Sequence, residues 1–467
     1  MGNVDSGMYE KRISRLVPDE QAQINVAFDQ MTDATGADKA SRKSVSLEKF
    51  KAYVSGALPE SMITRFFDGI RSTNVESKSG AVSEEFTKEQ LTVYISDLYR
   101  GHVDQRGSAI IRIIAITEDK QVKGSQVQQF IDDLIGALLQ VLQFRKLLNG
   151  WILKHTFDSV AGGNALVAHL LSELKPTDKR VLTDDQVLEF SWNVRDIGDW
   201  VYRIPLVSTF LLAVFSHGLS VMLPDSESSK GQGSLSNLVP KCRSKAPPCD
   251  SVLGLLAVMF INSYLPQEAQ HRWRPYFSTR AHGESFSQLC AQIVSQGPSV
   301  LIVKDTGGNI FGGFASQSWE IKPQFQGDSK CFLFSIVPRM EVYMYSGYND
   351  HYMYLNSGQQ TMPNGLGMGG QHNYFGLWID SDFGKGHSRA KPKCTTYNSP
   401  QLSSTENFKI DVLEVWGVGH QQKSDEKSKK SILDRDPEAQ ALLEMTGRAR
   451  HSDGLRHKAK DEQEDED

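Results

Sequence analysis

The amino-acid sequence predicts an α+β fold, helical over its first half and an antiparallel β-sandwich flanked by helices in its second, on three observations. Apolar residues recur at three- and four-residue steps between about residues 18 and 195. Val127, Phe130, Ile131, Leu134, Leu138 and Leu142 show it best, and they place one apolar face on a helix. Beyond residue 250 the texture changes to short apolar runs at 300–303, 332–334, 342–345, 352–355, 375–379 and 412–418. Gly, Asn, Pro and Asp separate them, which is the pattern of short antiparallel strands. Between the halves, residues 224–249 carry Ser226, Ser228, Ser229, Gly231, Gly233 and Lys245-Ala246-Pro247-Pro248, a linker composition. A length of 467 residues exceeds what one core organises and fits two or three domains.

Taken in order, residues 1–17 form an amino-terminal segment. Met1-Gly2-Asn3-Val4-Asp5-Ser6 fits the myristoylation pattern in full, so Gly2 is the expected lipid site, its α-amine free to accept the acyl chain once Met1 is removed. One myristoyl chain gives only marginal membrane binding. Lys11, Arg12 and Arg15 are too few for a strong polybasic patch, so a second grip is expected from a protein partner. The first ten residues lack the basic start and apolar core of a secretory signal, and the chain is expected on the cytosolic side.

Residues 18–195 are expected to be helical and EF-hand-like. Thr87 with Gln90, and Ser125 with Gln128, have capping-box spacing and mark helix starts. Residues 45–50 and 82–86 look like the exit sides of two helix-loop-helix calcium loops. With Val45 at the central apolar position, Asp38, Ala40 and Arg42 take ligand places and Lys49 the closing one, where a cation repels metal. In the second loop Gly80 suits the sharp turn, but that register puts Val75 and Phe86 at the first and last ligand places. A degenerate, metal-free scaffold is the expectation, with a calcium sensor as the competing class.

Residues 196–223 form an apolar segment leading into the second half. Its stretch 204–223 approaches the length of a bilayer span but is broken by Pro205, Ser208, Thr209, Ser216, His217 and Gly218, and reads as buried core. Five widely spaced cysteines, Cys242, Cys249, Cys290, Cys331 and Cys394, read as reduced thiols. Lys plus Arg number 51 against 56 Asp plus Glu, so no basic field draws the chain onto nucleic acid.

Residues 250–418 form the β-rich domain, with flanking helices expected at 251–264 and 285–294. Trp273-Arg274-Pro275-Tyr276-Phe277, His282-Gly283-Glu284-Ser285-Phe286, Phe311-Gly312-Gly313-Phe314-Ala315-Ser316 with Trp319, and Glu414-Val415-Trp416 resemble the TLDc domain family. Phe332-Leu333-Phe334, Gly367-Met368-Gly369-Gly370, Phe375-Gly376-Leu377-Trp378 and Cys394-Thr395-Thr396-Tyr397 extend the match in the same order. With the Gly2 site and the helical first half, the whole chain is similar to the lysosomal, mTOR-associated branch of that family. The resemblance implies a helix-flanked β-sandwich, a peripheral place on the cytosolic face of lysosomal membranes, and a role with the mTOR signalling complex. It also implies binding to the vacuolar proton-pumping ATPase.

Weighed as chemistry, these residues point to no reaction. Gly365-Leu366-Gly367-Met368-Gly369-Gly370 is followed by a strand rather than a helix amino terminus, so it reads as tight turns and close backbone packing, not a phosphate loop. His351, His372 and His387, with Asp350, Asp380 and Asp382, offer neither a zinc-ligand spacing nor a paired-carboxylate motif. Asp382-Phe383-Gly384 imitates a kinase motif without that enzyme's other loops. Cys290, Cys331 and Cys394 leave a redox-protective or enzymatic alternative, which needs lowered thiol pKa values and access.

Residues 419–467 comprise a polar linker, a short amphipathic helix and an acidic tail. Asp436-Pro437-Glu438 supplies a cap and an acidic first turn; Ala439, Leu442, Leu443 and Met445 form the apolar face, expected to bind a partner in helix-in-groove fashion. The alternative is packing on the parent domain. The combined expectation is a non-enzymatic adaptor without cofactor, nucleic-acid partner or small-molecule substrate, its only attached group the myristate on Gly2.

Overall fold

The computed structural model describes residues 9–33, 44–75, 83–116, 120–153, 162–178, 180–221, 237–243 and 250–419. The chain divides into units 1–421 and 422–467, and the described residues all belong to the first.

The first half contains α1 (Pro18–Asp33), β1 (Ser44–Val45), α2 (Leu47–Tyr53), α3 (Glu60–Arg71), β2 (Phe86–Thr87), α4 (Lys88–Arg100) and α5 (Val103–Ile114). It continues with β3 (Gln121–Lys123), α6 (Gly124–Phe144), α7 (Gly162–Ser172), α8 (Asp184–Glu189), β4 (Ser191–Asn193), α9 (Val194–Arg203) and α10 (Pro205–Leu219). The strands are short bridges between helix-loop-helix modules. β1 pairs with β2 through Val45 opposite Phe86, and β3 with β4 through Val122 opposite Trp192. The second pair of modules was not recognised in the sequence, and the first pairing corrects the register of the second loop: Phe86, not residue 82, takes the central apolar position.

Four residues beyond each paired apolar residue stand Lys49, Gln90, Gln126 and Asp196, where a calcium loop has its closing carboxylate. Gln90 accepts from Thr87 N (2.9 Å) and donates through Nε2 to the carbonyls of Arg71 (2.8 Å) and Thr73 (3.3 Å). It therefore ties the exit of one helix to the entry of the next, the mechanical work of a metal-bound Glu, with an uncharged amide. Gln126 accepts from Lys123 N (2.8 Å), so α6 begins at Gly124 rather than at the expected Ser125–Gln128 box. Buried Asp196 accepts from Thr177 N and Oγ1 and from Asn193 N, so its oxygens are already engaged by protein donors.

Pro205 begins α10 and sets it at 95° to α9. No single described helix is long and apolar enough to cross a membrane. α10 is buried on most of its surface, with Phe215 against Phe66, Tyr94 and Tyr99, while Tyr53 Oη donates to Leu219 O (2.7 Å) and Arg145 Nε to His217 O (2.9 Å). Within the apolar stretch 204–223, the described helix α10 is packed into the core.

The second half adds β5 (Lys241–Cys242), α11 (Leu255–Tyr264), β6 (Arg272–Ser278), α12 (Thr279–His282), α13 (Phe286–Ile293), β7 (Ser299–Asp305), β8 (Ile310–Ala315) and β9 (Lys322–Gln326). β10 (Phe332–Val337), β11 (Glu341–Tyr343), β12 (Met353–Asn356), β13 (Gly365–Gln371), β14 (Tyr374–Asp380), β15 (Lys385–His387) and β16 (Asn407–Val418) complete it. The order is β11-β10-β8-β7-β16-β15-β14-β13-β12-β9, with β6 also on β16 and β5 parallel to β6. The long β16 belongs to both layers of a sandwich.

Alternation along the strands gives three layers. Leu301, Val303, Leu333, Leu413 and Val415 face Met353, Leu355, Leu366, Met368, Leu377 and Ile379 across the sandwich. Val300, Ile302, Phe314, Phe332, Phe334 and Trp416 point the other way and join the core of the helical half. That sheet is buried on both faces, which is why its strands read as continuous apolar runs. The seam is aromatic: Trp151 lies 6.0 Å from Trp273 and 5.3 Å from Trp416, and its Nε1 donates to Pro240 O (2.8 Å).

Three expectations are corrected here. Residues 237–243, inside the expected linker, are built into the sheet through β5, with Leu238 and Val239 buried. Cys242 is disulfide-bonded rather than a reduced thiol. The glycine cluster, expected as tight turns and close backbone packing, is closely packed but is mostly a strand, β13.

Candidate functional site

The predicted lipid site Gly2 and the predicted helix face Ala439, Leu442, Leu443 and Met445 lie outside the described residues. The bases of both arms are described. Residues 9–13 are helical; Ser96 Oγ donates to Arg12 O (2.5 Å), Arg12 stands 3.7 Å and Arg15 4.0 Å from Asp97, and Arg15 donates to Gln105 (2.8 Å). Burial pushes the Asp97 carboxyl up while Arg12, Arg112 and Arg15 oppose that rise. Arg12 and Arg15, counted above as cations near the lipid, thus spend their charge on a buried carboxylate. At the other end, Gly419 N donates to Arg272 O (2.9 Å), fixing the last described residue to β6.

Glu414-Val415-Trp416 locks the domain closed on its own start. Buried Glu414 accepts from Ser251 Oγ (2.5 Å), Val252 N (3.1 Å) and Trp416 Nε1 (2.9 Å). Holding Ser251 there delays α11 to Leu255, four residues later than the sequence pattern suggests. On the opposite flank Ser285 caps α13 through Gln288 N (3.4 Å).

The three histidines weighed for chemistry do come together, on the outer face of the sandwich. His351 stacks on Phe325 at 4.0 Å, His372 lies 4.9 Å from the same ring, and His387 stacks on Trp378 at 5.9 Å. Their floor is Tyr354, Phe375 and Trp378, the last two stacked at 4.5 Å. Glycines make the floor possible: a Cβ on Gly367 would meet Phe375 Cδ1 at 2.6 Å, and one on Gly365 would meet Trp378 Cζ2 at 2.4 Å. His351 Nδ1 is 2.6 Å from Gly370 O. Burial, then Arg389, pushes His387 down to about 4; burial, then His351, lowers His372. Each ring lies against aromatic neighbours, and among the described residues no three His, Cys, Asp or Glu side chains are placed to hold a metal ion.

The thiols are more deeply buried than these half-exposed histidines. Cys290, Cys331 and Cys394 are free and buried. Burial pushes Cys290 up to about 11 and raises Cys331 and Cys394, disfavouring the thiolate that redox or nucleophilic work needs. Asp382 of the kinase-like tripeptide pairs with Lys385 at 2.9 Å on an exposed turn. The three thiols thus lie in the core, the three histidines against an aromatic floor, and Asp382 at the surface.

A sandwich with one sheet sealed under helices and ordered Trp, Gly and Glu positions defines a TLDc-domain protein, and residues 251–419 match the TLDc domain family. Over the whole length, the chain is 52% identical to "MTOR-associated protein MEAK7" of Gallus gallus, covering 100% of both chains. It is 47% identical to the protein of that name in Homo sapiens, over 99% of this chain and 100% of the other. The chain belongs to this family. "Nuclear receptor coactivator 7" of Homo sapiens is 33% identical over 154 residues, 32% of this chain and 15% of that protein.

Proposed function

We propose that this chain is a non-enzymatic adaptor and regulator that works at the lysosomal membrane. It binds the vacuolar proton-pumping ATPase through its TLDc domain and carboxyl-terminal helix, and it supports mTOR signalling. The observation that carries the reading is similarity over the full length, helical half included, to proteins named for association with MTOR. Burial of the thiols, and the stacking of the histidines on aromatic rings, support surfaces rather than a reaction centre.

The anchor is a myristate on Gly2. A single such chain holds weakly. Arg12 and Arg15 are occupied by Asp97, so the second attachment falls to protein contact. Two tethered contacts with one assembly raise the effective concentration of each. Affinity purification from lysosomal membranes tests the reading, comparing the intact protein with Gly2→Ala. Proton-pump subunits and mTOR components are expected with the intact protein, and most of the Gly2→Ala protein in the soluble fraction. Absence of any lysosomal complex from the intact protein's eluate overturns the proposal.

A further inference from the structure

We propose that a groove running along α6, walled by α7 and α8 and closed at one end by the turn at residues 338–341, is a docking site for a basic amphipathic helix of a partner protein. Two clefts of about 310 and 470 Å³ share Asp132, Asn164 and Val167 and so form one channel. Along α6 it reaches from Gln128 to Gln143, ~22 Å at 1.5 Å per residue, the length of a four-turn helix. Its floor is apolar: Leu139 is partly exposed, and the nearly buried Ile135, Val167, Leu171, Val187 and Met340 lie beside it.

Two further features select the occupant. Gly136 is exposed, and a Cβ built on it meets nothing within 4 Å, so a second helix backbone can approach α6 closely there. The rim is acidic: Asp132, Asp184 and Glu341 against one cation, Arg339. Among the described residues no ion pair engages Asp132 or Asp184. Burial and the neighbouring Asp133 push the Asp132 carboxyl up, a condition that an arriving Lys or Arg relieves. Apolar anchors on one helix face and cations beside them match both properties. Because Pro338, Arg339, Met340 and Glu341 come from the sandwich and the other walls from the helical half, the end of the groove beside α8 is complete only in the assembled fold. The inference is independent of proton-pump binding.

The test uses the full chain and a labelled 15-residue peptide with Leu at positions 1, 4, 5, 8, 11, 12 and 15 and Lys elsewhere, against a twin carrying Glu for Lys. Fluorescence anisotropy should show the Lys peptide binding at least ~10-fold more tightly than its twin, the gap narrowing with salt. Gly136→Phe, which places a ring in the groove, should weaken binding at least ~10-fold. Asp132→Asn with Asp184→Asn should flatten the salt dependence at unchanged melting temperature. Equal affinity for both peptides, or binding untouched by both variants, overturns the proposal. So does release of a dimer by the peptide, which would assign the groove to a second copy of the chain.

Discussion

Trp151→Ala tests whether the two described halves are one cooperative body. The indole fills the seam between Trp273 and Trp416 and satisfies the Pro240 carbonyl. Truncating a buried Trp costs about 3–5 kcal/mol, and a stranded buried carbonyl adds about 1 kcal/mol. Because the ring's neighbours lie in β6 and β16 while its backbone follows α6, most of that loss falls on the coupling between halves. A loss of about 4 kcal/mol corresponds to ~10³-fold more frequent opening, visible as amide hydrogen exchange along α6 and α10. Calorimetry should show the wild-type transition split, the earlier component belonging to the helical half. A single transition at an unchanged temperature, with α6 exchange unaltered, refutes the coupling.

Gln90→Glu puts a carboxylate against the carbonyls of Arg71 and Thr73 and removes two donated hydrogen bonds, a loss of about 2–3 kcal/mol. Exchange within α4 should rise ~30-fold or more with or without calcium, and recovery of protection on adding calcium would show a working metal loop instead. His387 has its pKa pushed from 6.5 to about 4 by burial and Arg389, so between those values the unfolded chain binds the proton more readily. Its contribution is whole above about pH 6.5 and lost as the pH falls toward 4. His387→Phe, stacking on Trp378 in its place, should melt with a shallower decline over that window, and identical pH slopes for both proteins count against this role.

Local chemistry was legible wherever a residue acts on its near neighbours. Thr87 and Gln90 cap a helix because the bond spans three residues, and Lys49 reads as hostile to calcium because a single charge decides it. The bridge between Val122 and Trp192 was missed, although Gln126 and Asp196 repeat the four-residue spacing of Phe86 and Gln90. The closing positions hold an amide at Gln126 and, at Asp196, a carboxylate already bonded to protein donors, so a search for a full ligand set passes over them. Ser125 with Gln128 misled for a related reason: Gln126 reaches Lys123 N first. The TLDc motifs were legible as an ordered series, but not what they hold; nothing local in Glu414-Val415-Trp416 tells that the carboxylate fastens Ser251 and Val252.

By itself the sequence determined an α+β chain, the alternation of short strands, the buried character of α10 and the TLDc resemblance, since period, composition and spacing are properties of neighbouring residues. Only the tertiary structure decided that Lys241 and Cys242 of the supposed linker pair with β6, that three scattered histidines share one aromatic floor, and that helices and sandwich share a core through Trp151, Trp273 and Trp416. Each of those depends on residues far apart in the chain, and the shared core on the burial of one sheet on both faces. No local pattern encodes which distant face will cover it.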